Sequence, residues 1–254
     1  VRIGDASHRQ EFRADREEIQ MIRAYSWPTP NGHKVHIMLH ECELEHEVIP
    51  VNIGDGAQFE PAFLAISPNN RIPAIVDTDG PGGQEISVFE TGAILYYLAQ
   101  KTGKFLPDAA ADPAGHFATM EWLMWQMGGI GPMMGQANHF RRYAPDRIEY
   151  AVDRYANETK RLFGVADTRL GKTRYLAGND YTIADIAAYP WMRNWKGQEV
   201  PLDDYPNTKR WLEDVGERPA VKSGLEVLIE HRSSGPPKGK AWDVMFGKEQ
   251  FKRR

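Results

Sequence analysis

The sequence predicts an α/β unit followed by an all-helical one, and three observations carry this. Short runs rich in β-branched and apolar residues fall before residue 90, at 21–26, 48–51, 74–76 and 86–89. The last two flank Thr78-Asp79-Gly80-Pro81-Gly82-Gly83, which is turn chemistry, so they form a hairpin. From Pro113 onward the apolar spacing is helical, and 101–112, with Gly103 and Pro107, reads as a linker. The expected organisation is an N-terminal extension over 1–20, an α/β domain over 21–103, a helical domain over 112–230 and a tail over 231–254.

Residues 1–20 are polar and highly charged, with a short helix expected near 11–18. The first strand, 21–26, ends at Trp27-Pro28-Thr29-Pro30, where two prolines one residue apart can neither continue a strand nor sit inside a helix. A helix follows over about 31–43, and Val35, Met38, Leu39 and Cys42 at i, i+3, i+4 and i+7 form its buried stripe. The second strand is 48–51, Gly54-Asp55-Gly56 is a loop, and 61–66 is a short helix. Pro73 opens the third strand, a position that needs no ladder N–H, and a cis Ile72–Pro73 bond would turn the Ile72 N–H outward. The fourth strand runs straight into Glu90-Thr91-Gly92-Ala93, so Glu90 and Thr91 open a helix, where free N–H groups and the positive dipole end gather. Strand-helix-strand-helix-strand-strand-helix is the order of a thioredoxin-like domain.

In the second half, a helix over 113–127 brings Phe117, Met120, Met124 and Met127 to one face, and Gly128-Gly129-Ile130-Gly131-Pro132 is expected to kink or interrupt it. Residues 145–170 are helical through Ile148, Val152, Tyr155, Leu162 and Val165. Thr182-Ile183-Ala184-Asp185 is a capping-box-like start for a core helix over 183–195, a structural role. Helices over 206–216 and 219–230 complete the domain. The tail after His231 has seven Lys/Arg against two Asp/Glu, with Trp242, Met245, Phe246 and Phe251. It reads either as a disordered end or as a strap whose aromatics pack over the helical domain near the site, and the aromatics favour the strap.

A chain of 254 residues, 41% hydrophobic and 26% charged, is an ordinary soluble composition with enough length for a real core. A net charge of −4 and a pI near 6.1 give no reason to expect nucleic acid as a partner. The longest apolar run, 93–99, is too short to cross a membrane, and no secretory signal is expected from the charged start. The single cysteine, Cys42, rules out an internal disulfide, and a cytoplasmic location is the expectation. His36 and His40 share a helix face but no third ligand is spaced to complete a metal site, so no metal is expected.

The stretch from Ser67 to Thr91 gathers a cation (Arg71), an exposed backbone edge (Ile72) and a helix start with a carboxylate and a hydroxyl (Glu90, Thr91). Such a set suits a small zwitterionic peptide. An ordinary hairpin and helix with a surface arginine is the plain alternative. Against it stands the joint spacing of Arg71-Ile72-Pro73-Ala74-Ile75-Val76, the hairpin and Phe89-Glu90-Thr91-Gly92-Ala93-Ile94-Leu95. This combination resembles the glutathione-binding half of the soluble glutathione transferases. There the residue before proline offers its backbone to the cysteinyl part of glutathione, and the Glu-Ser/Thr pair holds the γ-glutamyl end.

Catalysis on glutathione needs the thiolate, while a free thiol has a pKa of about 8.5. Lowering it by about two units takes roughly 2.7 kcal/mol of preference for the anion. A neutral donor gives roughly 0.5–1.5 kcal/mol, and up to ~3 with a charged partner, so two donors and a helix N-terminus suffice. The turn after the first strand is where such a site lies in this fold, and here it carries Thr29 and Asn31. Either side chain also suits capping of the following helix, which is compatible with binding sulfur.

Trp27-Pro28-Thr29-Pro30-Asn31-Gly32-His33-Lys34, Gly54-Asp55-Gly56-Ala57-Gln58-Phe59, Ser67 to Asp77 and Trp125 to Gln136 together resemble the nu-class glutathione transferases over roughly residues 21–230. The resemblance implies that Thr29 and Asn31 replace the Tyr, Ser or Cys of other transferases. It implies that Gln58, Arg71, Ile72, Glu90, Thr91 and, from the helical domain, Arg154 contact glutathione. It further implies a homodimer that reduces disulfides with two glutathiones, or one oxidised glutathione, per site. Arg71 replaces a more frequent Lys and Thr91 a Ser, both keeping the polar function, and the tail is not general in the class. Tyr143, Trp27 and Trp191 are candidates for a pocket for a small hydrophobic or disulfide substrate, with Tyr143 able to stabilise or protonate a leaving group. In the dimer, 128–143 is expected near the cleft between subunits, with Met133, Met134 and Phe140 exposed in a lone protomer. Three activities compete: glutathione-dependent transferase or disulfide reductase, glutathione lyase acting on thioethers, and a non-enzymatic binding protein, which intact Thr29, Asn31, Arg71 and Glu90 disfavour.

Overall fold

β1 (Ile22–Ser26) alternates buried and half-buried side chains, the mark of a strand with one face in the core. In the computed structural model, which describes residues 21–232 and 235–252, it pairs in parallel with β2 (His46–Pro50), Ala24 opposite Val48. The helix expected near 11–18 lies outside the described residues. On its other side β1 pairs antiparallel with β3 (Ala74–Asp77), Ala24 opposite Ile75, and the hairpin adds β4 (Ile86–Phe89) beyond. The order β2-β1-β3-β4 is the thioredoxin-like sheet that the sequence predicts. β2 begins two residues before the apolar run because pairing with β1 extends it to His46, opposite Ile22.

α1 (Pro30–Cys42) starts where the prolines predict, with Pro30 in the first turn, where a missing N–H costs nothing. A Cβ at Gly32 would stand 2.1 Å from the Trp27 carbonyl oxygen, so only glycine lets the chain turn this tightly into the helix. The predicted stripe of Val35, Met38, Leu39 and Cys42 is buried, but so is the face across from it, because the helix is sandwiched between α3 (Thr91–Thr102) and the helical half. α2 (Pro61–Leu64) is a single turn.

The glycine-rich stretch after α4 (Pro113–Trp125) does not interrupt the helix. A wider π turn over Gln126–Ile130 joins α4 to α5 (Gly131–Asn138), and a second over His139–Tyr143 ends the run. The face expected on α4 is divided. Phe117 and Met124 are 63% and 54% exposed, Met120 packs on the core, and Met127 reaches Thr91. Met134 is fully buried and Met133 packs against the core, while Phe140 stacks on Tyr155 at 5.5 Å. These three are therefore not the exposed apolar set expected of a lone protomer, since the π turns roll them inward. α6 (Glu149–Leu170) starts later than predicted, and Ile148, its N-cap, is 50% exposed rather than part of the stripe.

α7 (Ile183–Met192) opens on the predicted capping box: Thr182 Oγ1 accepts from Ala184 N at 3.3 Å and Asp185 Oδ2 accepts from Thr182 N at 3.0 Å. Asp185 also accepts from Leu176 N and Trp211 Nε1, so its buried carboxylate ties three segments together. α8 (Pro206–Gly216) and α9 (Pro219–Glu226) follow. Gly224 lets α9 lie directly on α1, since a Cβ there would come within 2.8 Å of the Ile37 backbone. One core runs through both halves, from Ile22, Ile75 and Leu39 through Leu95 to Phe163, Ile186 and Trp211. In the tail, α10 (Lys240–Phe246) packs back on the molecule, which is the strap reading. No helix among the described residues is long and apolar enough to cross a membrane.

Candidate active site

At the start of α1, Thr29 Oγ1 accepts from Gly32 N at 3.2 Å, as an N-cap. Its hydroxyl hydrogen has no partner among the described residues. Asn31 Oδ1 accepts from Trp191 Nε1 of α7 at 2.9 Å, which leaves the amide hydrogens on Nδ2 without a partner there. Both side chains thus have their acceptor side occupied and their donor side free, at the N-terminus of a thirteen-residue helix. Two free donors and the positive end of a helix suit a sulfur anion.

Two cavities open from this point, of about 360 and about 620 Å³, and they meet at Asn31, Arg71, Ile72 and Trp191. The smaller is lined by Arg71, Ile72, Glu90 and Thr91. The Ile72–Pro73 bond is cis, and neither the N–H nor the C=O of Ile72 enters a backbone hydrogen bond among the described residues. Glu90 caps α3 at φ 69°, ψ 121°, a conformation rare outside glycine that surrounding structure must impose, and its Oε1 accepts from Asn69 Nδ2 at 3.2 Å. Thr91 is buried, with Oγ1 3.3 Å from Met127 Sδ. Arg71 is exposed and donates only to Asn70 Oδ1, at 3.1 Å.

Lys34 also lines this cavity, donating to Thr91 Oγ1 at 3.1 Å and to Gln126 Oε1 at 2.8 Å. Sequence reasoning missed both residues. The stripe rule consigns Lys34 to solvent, and only its position in the first turns of α1, three residues after Asn31, could have singled it out.

The larger cavity is walled by Gln58, Tyr143 and the tail. Gln58 Nε2 donates to the Ile53 carbonyl at 3.2 Å, and its buried Oε1 has no partner. Tyr143 stacks on Phe246 of α10 at 5.3 Å, and Trp242 Nε1 donates to the Tyr143 carbonyl at 2.6 Å. Phe246 also meets His139, and Met245 and Phe251 complete the apolar wall.

Other expected residues stand apart. Arg154 lies on the exposed side of α6 and lines neither cavity of its own chain. Trp27 stacks on His231 at 5.0 Å, away from both cavities. Cys42 lies at the far end of α1, 5% exposed, and burial pushes its thiol up. His40 Nδ1 is taken by Ser223 Oγ and His46 Nδ1 by the Leu44 carbonyl, and no group of three metal-ligating side chains forms among the described residues.

Residues 21–100 match the family model of the glutathione S-transferase N-terminal domain and 127–219 that of the C-terminal domain. The chain is 50% identical to the disulfide-bond oxidoreductase YfcG of Escherichia coli K12 over 206 residues, 81% of this chain and 94% of that protein. It is 42% identical to YghU, a disulfide-bond oxidoreductase of the same organism, over 85% of this chain and 76% of that one. Among solved structures, a glutathione transferase from Pseudomonas putida with one glutathione disulfide bound per subunit matches at TM-score 0.78 and 44% identity, covering 83% of this chain and 93% of that one. A family member from Pseudomonas fluorescens Pf-5 with two glutathione bound matches at TM-score 0.77 and 47% identity, covering 82% and 93%.

Proposed function

The chain belongs to the glutathione S-transferase family, and on that premise we propose that it reduces small disulfides with two glutathione thiols, holding the attacking one as a thiolate at Thr29 and Asn31. It is a glutathione-dependent enzyme with transferase or reductase activity. The observation that carries the proposal is the pair of cavities meeting at Asn31, beside a helix start that contains no cysteine. Glutathione is a co-substrate, and the solved relatives hold one glutathione disulfide or two glutathione.

In this reading Glu90 and Thr91 hold the γ-glutamyl end, the Ile72 backbone pairs with the cysteinyl unit, and Arg71 and Gln58 hold the remaining polar groups. Thr29 O–H and Asn31 Nδ2–H donate to the sulfur. The thiolate attacks one sulfur of the substrate disulfide, the S–S bond breaks, and a new one joins glutathione to that sulfur. The other sulfur leaves as a thiolate and takes a proton, with the Tyr143 phenol as donor. A second glutathione thiolate then attacks the glutathione sulfur of the mixed disulfide. It releases the remaining half of the substrate and forms oxidised glutathione. The nu class fits Thr29 and Asn31 at this turn, and a cytoplasmic location fits a chain with one cysteine, itself buried.

Thioether cleavage by a second glutathione is the alternative. The aromatic wall of Tyr143, Phe246 and Phe251 favours it for aryl substrates. A homodimer is part of the proposal. Phe117 and Met124, seven residues apart on α4, leave an apolar face that a second copy would cover. In such a pair Arg154 could serve the cleft from the other protomer. Turnover of hydroxyethyl disulfide beside an aryl thioether of glutathione is the test. Faster disulfide reduction supports the first reading, thioether cleavage alone the second, and turnover of neither overturns both.

A further inference from the structure

The peptide end of the site contains a charge that the reading above does not use. Lys34 is 1% exposed, and its ammonium is spent on Thr91 Oγ1, Gln126 Oε1 and, at 3.8 Å, Met127 Sδ. Among the described residues no carboxylate lies within ion-pair distance of it. A buried ammonium without a counterion is costly, and burial lowers its pKa to about 7, against the pull of Glu90.

Its neighbours are arranged for an anion. An ammonium has donors only, so Lys34 fixes Gln126 with Oε1 toward it and turns Nε2 away, where that nitrogen is buried without a partner beside the same cavity. In the same way it fills the acceptor side of Thr91 Oγ1 and leaves the hydroxyl hydrogen on Met127 sulfur, a weak acceptor, from which a stronger one can take it. Thr91 also begins α3, a helix of twelve residues whose first N–H groups are free.

We propose that Lys34 is the positioning countercharge for the α-carboxylate at the γ-glutamyl end of glutathione, acting through Thr91 Oγ and joined by Gln126 Nε2. The inference rests on the glutathione reading above. An anion bound beside a buried ammonium favours its charged form, so binding draws a proton onto Lys34 when the pH is above its ligand-free value. The groups facing Lys34 do not mimic this. Glu90 at the end of β4 is the acid that acts on it, Arg71 lines the same cavity, the α4–α5 run contributes neutral Gln126 and Met127, and α7 contributes neutral Trp191. On α1 itself His33 and His36 are held neutral by burial.

The test uses S-methylglutathione, whose sulfur carries no proton, in titration calorimetry with buffers of different ionisation enthalpy. Wild type should take up protons on binding, more at about pH 8 than at about pH 6. Lys34→Met should bind roughly tenfold or more weakly and take up fewer protons than wild type, keeping only the uptake of the ligand's own α-amino group. An S-methylated analogue with γ-aminobutyrate in place of γ-glutamate lacks the α-carboxylate and should bind the two proteins equally. Equal losses for both ligands, or no proton uptake by wild type (a measurement that needs no variant), overturn the proposal while leaving the glutathione reading intact. No binding of S-methylglutathione to wild type overturns both.

Discussion

Replacing Asn31 probes the proposed sulfur site most sharply, because Trp191 already fixes how its amide is turned. With Oδ1 held by Trp191 Nε1 at 2.9 Å, only Nδ2 is left to donate. Asn31→Ala removes a donor to an anion, a loss of about 1.5–3 kcal/mol. That raises the bound thiol's pKa by roughly one to two units and lowers kcat/KM roughly 10- to 150-fold below that pKa. Asn31→Asp keeps the bond to Trp191 but faces the thiolate with a second negative charge. At an effective dielectric constant of about 20 and about 4 Å, that repulsion is about 4 kcal/mol, so Asp should be slower than Ala although it is the closer shape. Trp191→Phe leaves the amide free to rotate and should cost roughly two- to tenfold, the value of one neutral bond. Ultraviolet thiolate absorbance of bound glutathione against pH, with kcat/KM profiles beside it, measures all three. An unmoved thiol pKa in both Asn31 variants would mean that the sulfur is held elsewhere.

Arg71→Ala and Glu90→Gln should raise KM for glutathione more than they lower kcat, because the contacts proposed for them are to parts of the peptide that do not react; steady-state kinetics with an unchanged KM for both would contradict that. Burial holds His33 at about 4 and His36 at about 3, below the unfolded value. For His33 the cations Arg193 and Arg232 add to the effect. Their stabilising neutral state is complete above about pH 6.5 and is lost as the pH falls, about 2.6 kcal/mol each by about pH 4.5. Denaturant melts should show this, and His36→Leu should reduce the acid sensitivity; a variant as acid-sensitive as wild type counts against it. Phe117→Asp should convert a dimeric wild type to monomer in sedimentation, and a monomeric wild type at micromolar concentration would sink the assigned face.

The sheet, the Thr29–Asn31 turn, the hairpin mouth and the Asp185 cap were legible because each rests on local chemistry: prolines that stop a strand, turn residues of fixed type, an acceptor at a helix start. Lys34 and Gln126 were not. A 3.6-residue stripe assigns one buried face per helix, whereas α1 is covered on both sides by α3 and by α7 and α9, so its polar side lies in the interior. The glycines after Trp125 predict a kink or an interruption because glycine and proline are poor helix formers. Packing along α4 and α5 carries the helix through them in a wider turn, and that turn buries Met134 and brings Gln126 to the cavity. The apolar spacing around Phe117 is helical as predicted, whereas Ile148 stands just before α6 as its extended N-cap, and periodicity alone does not say whether a face meets the core or water.

In the proposed mechanism, reduction runs on sulfurs that the ligands bring. Cys42 is buried on the stripe of α1, its sulfur 3.5 Å from Thr102 Oγ1. Steady-state reduction of hydroxyethyl disulfide by Cys42→Ala, a cysteine-free protein, separates ligand-borne from protein-borne sulfur. If the ligands bring the sulfur, kcat/KM stays close to wild type with a modest loss of thermal stability. A variant that is folded but inactive would make Cys42 the nucleophile and rule out the ligand-borne mechanism.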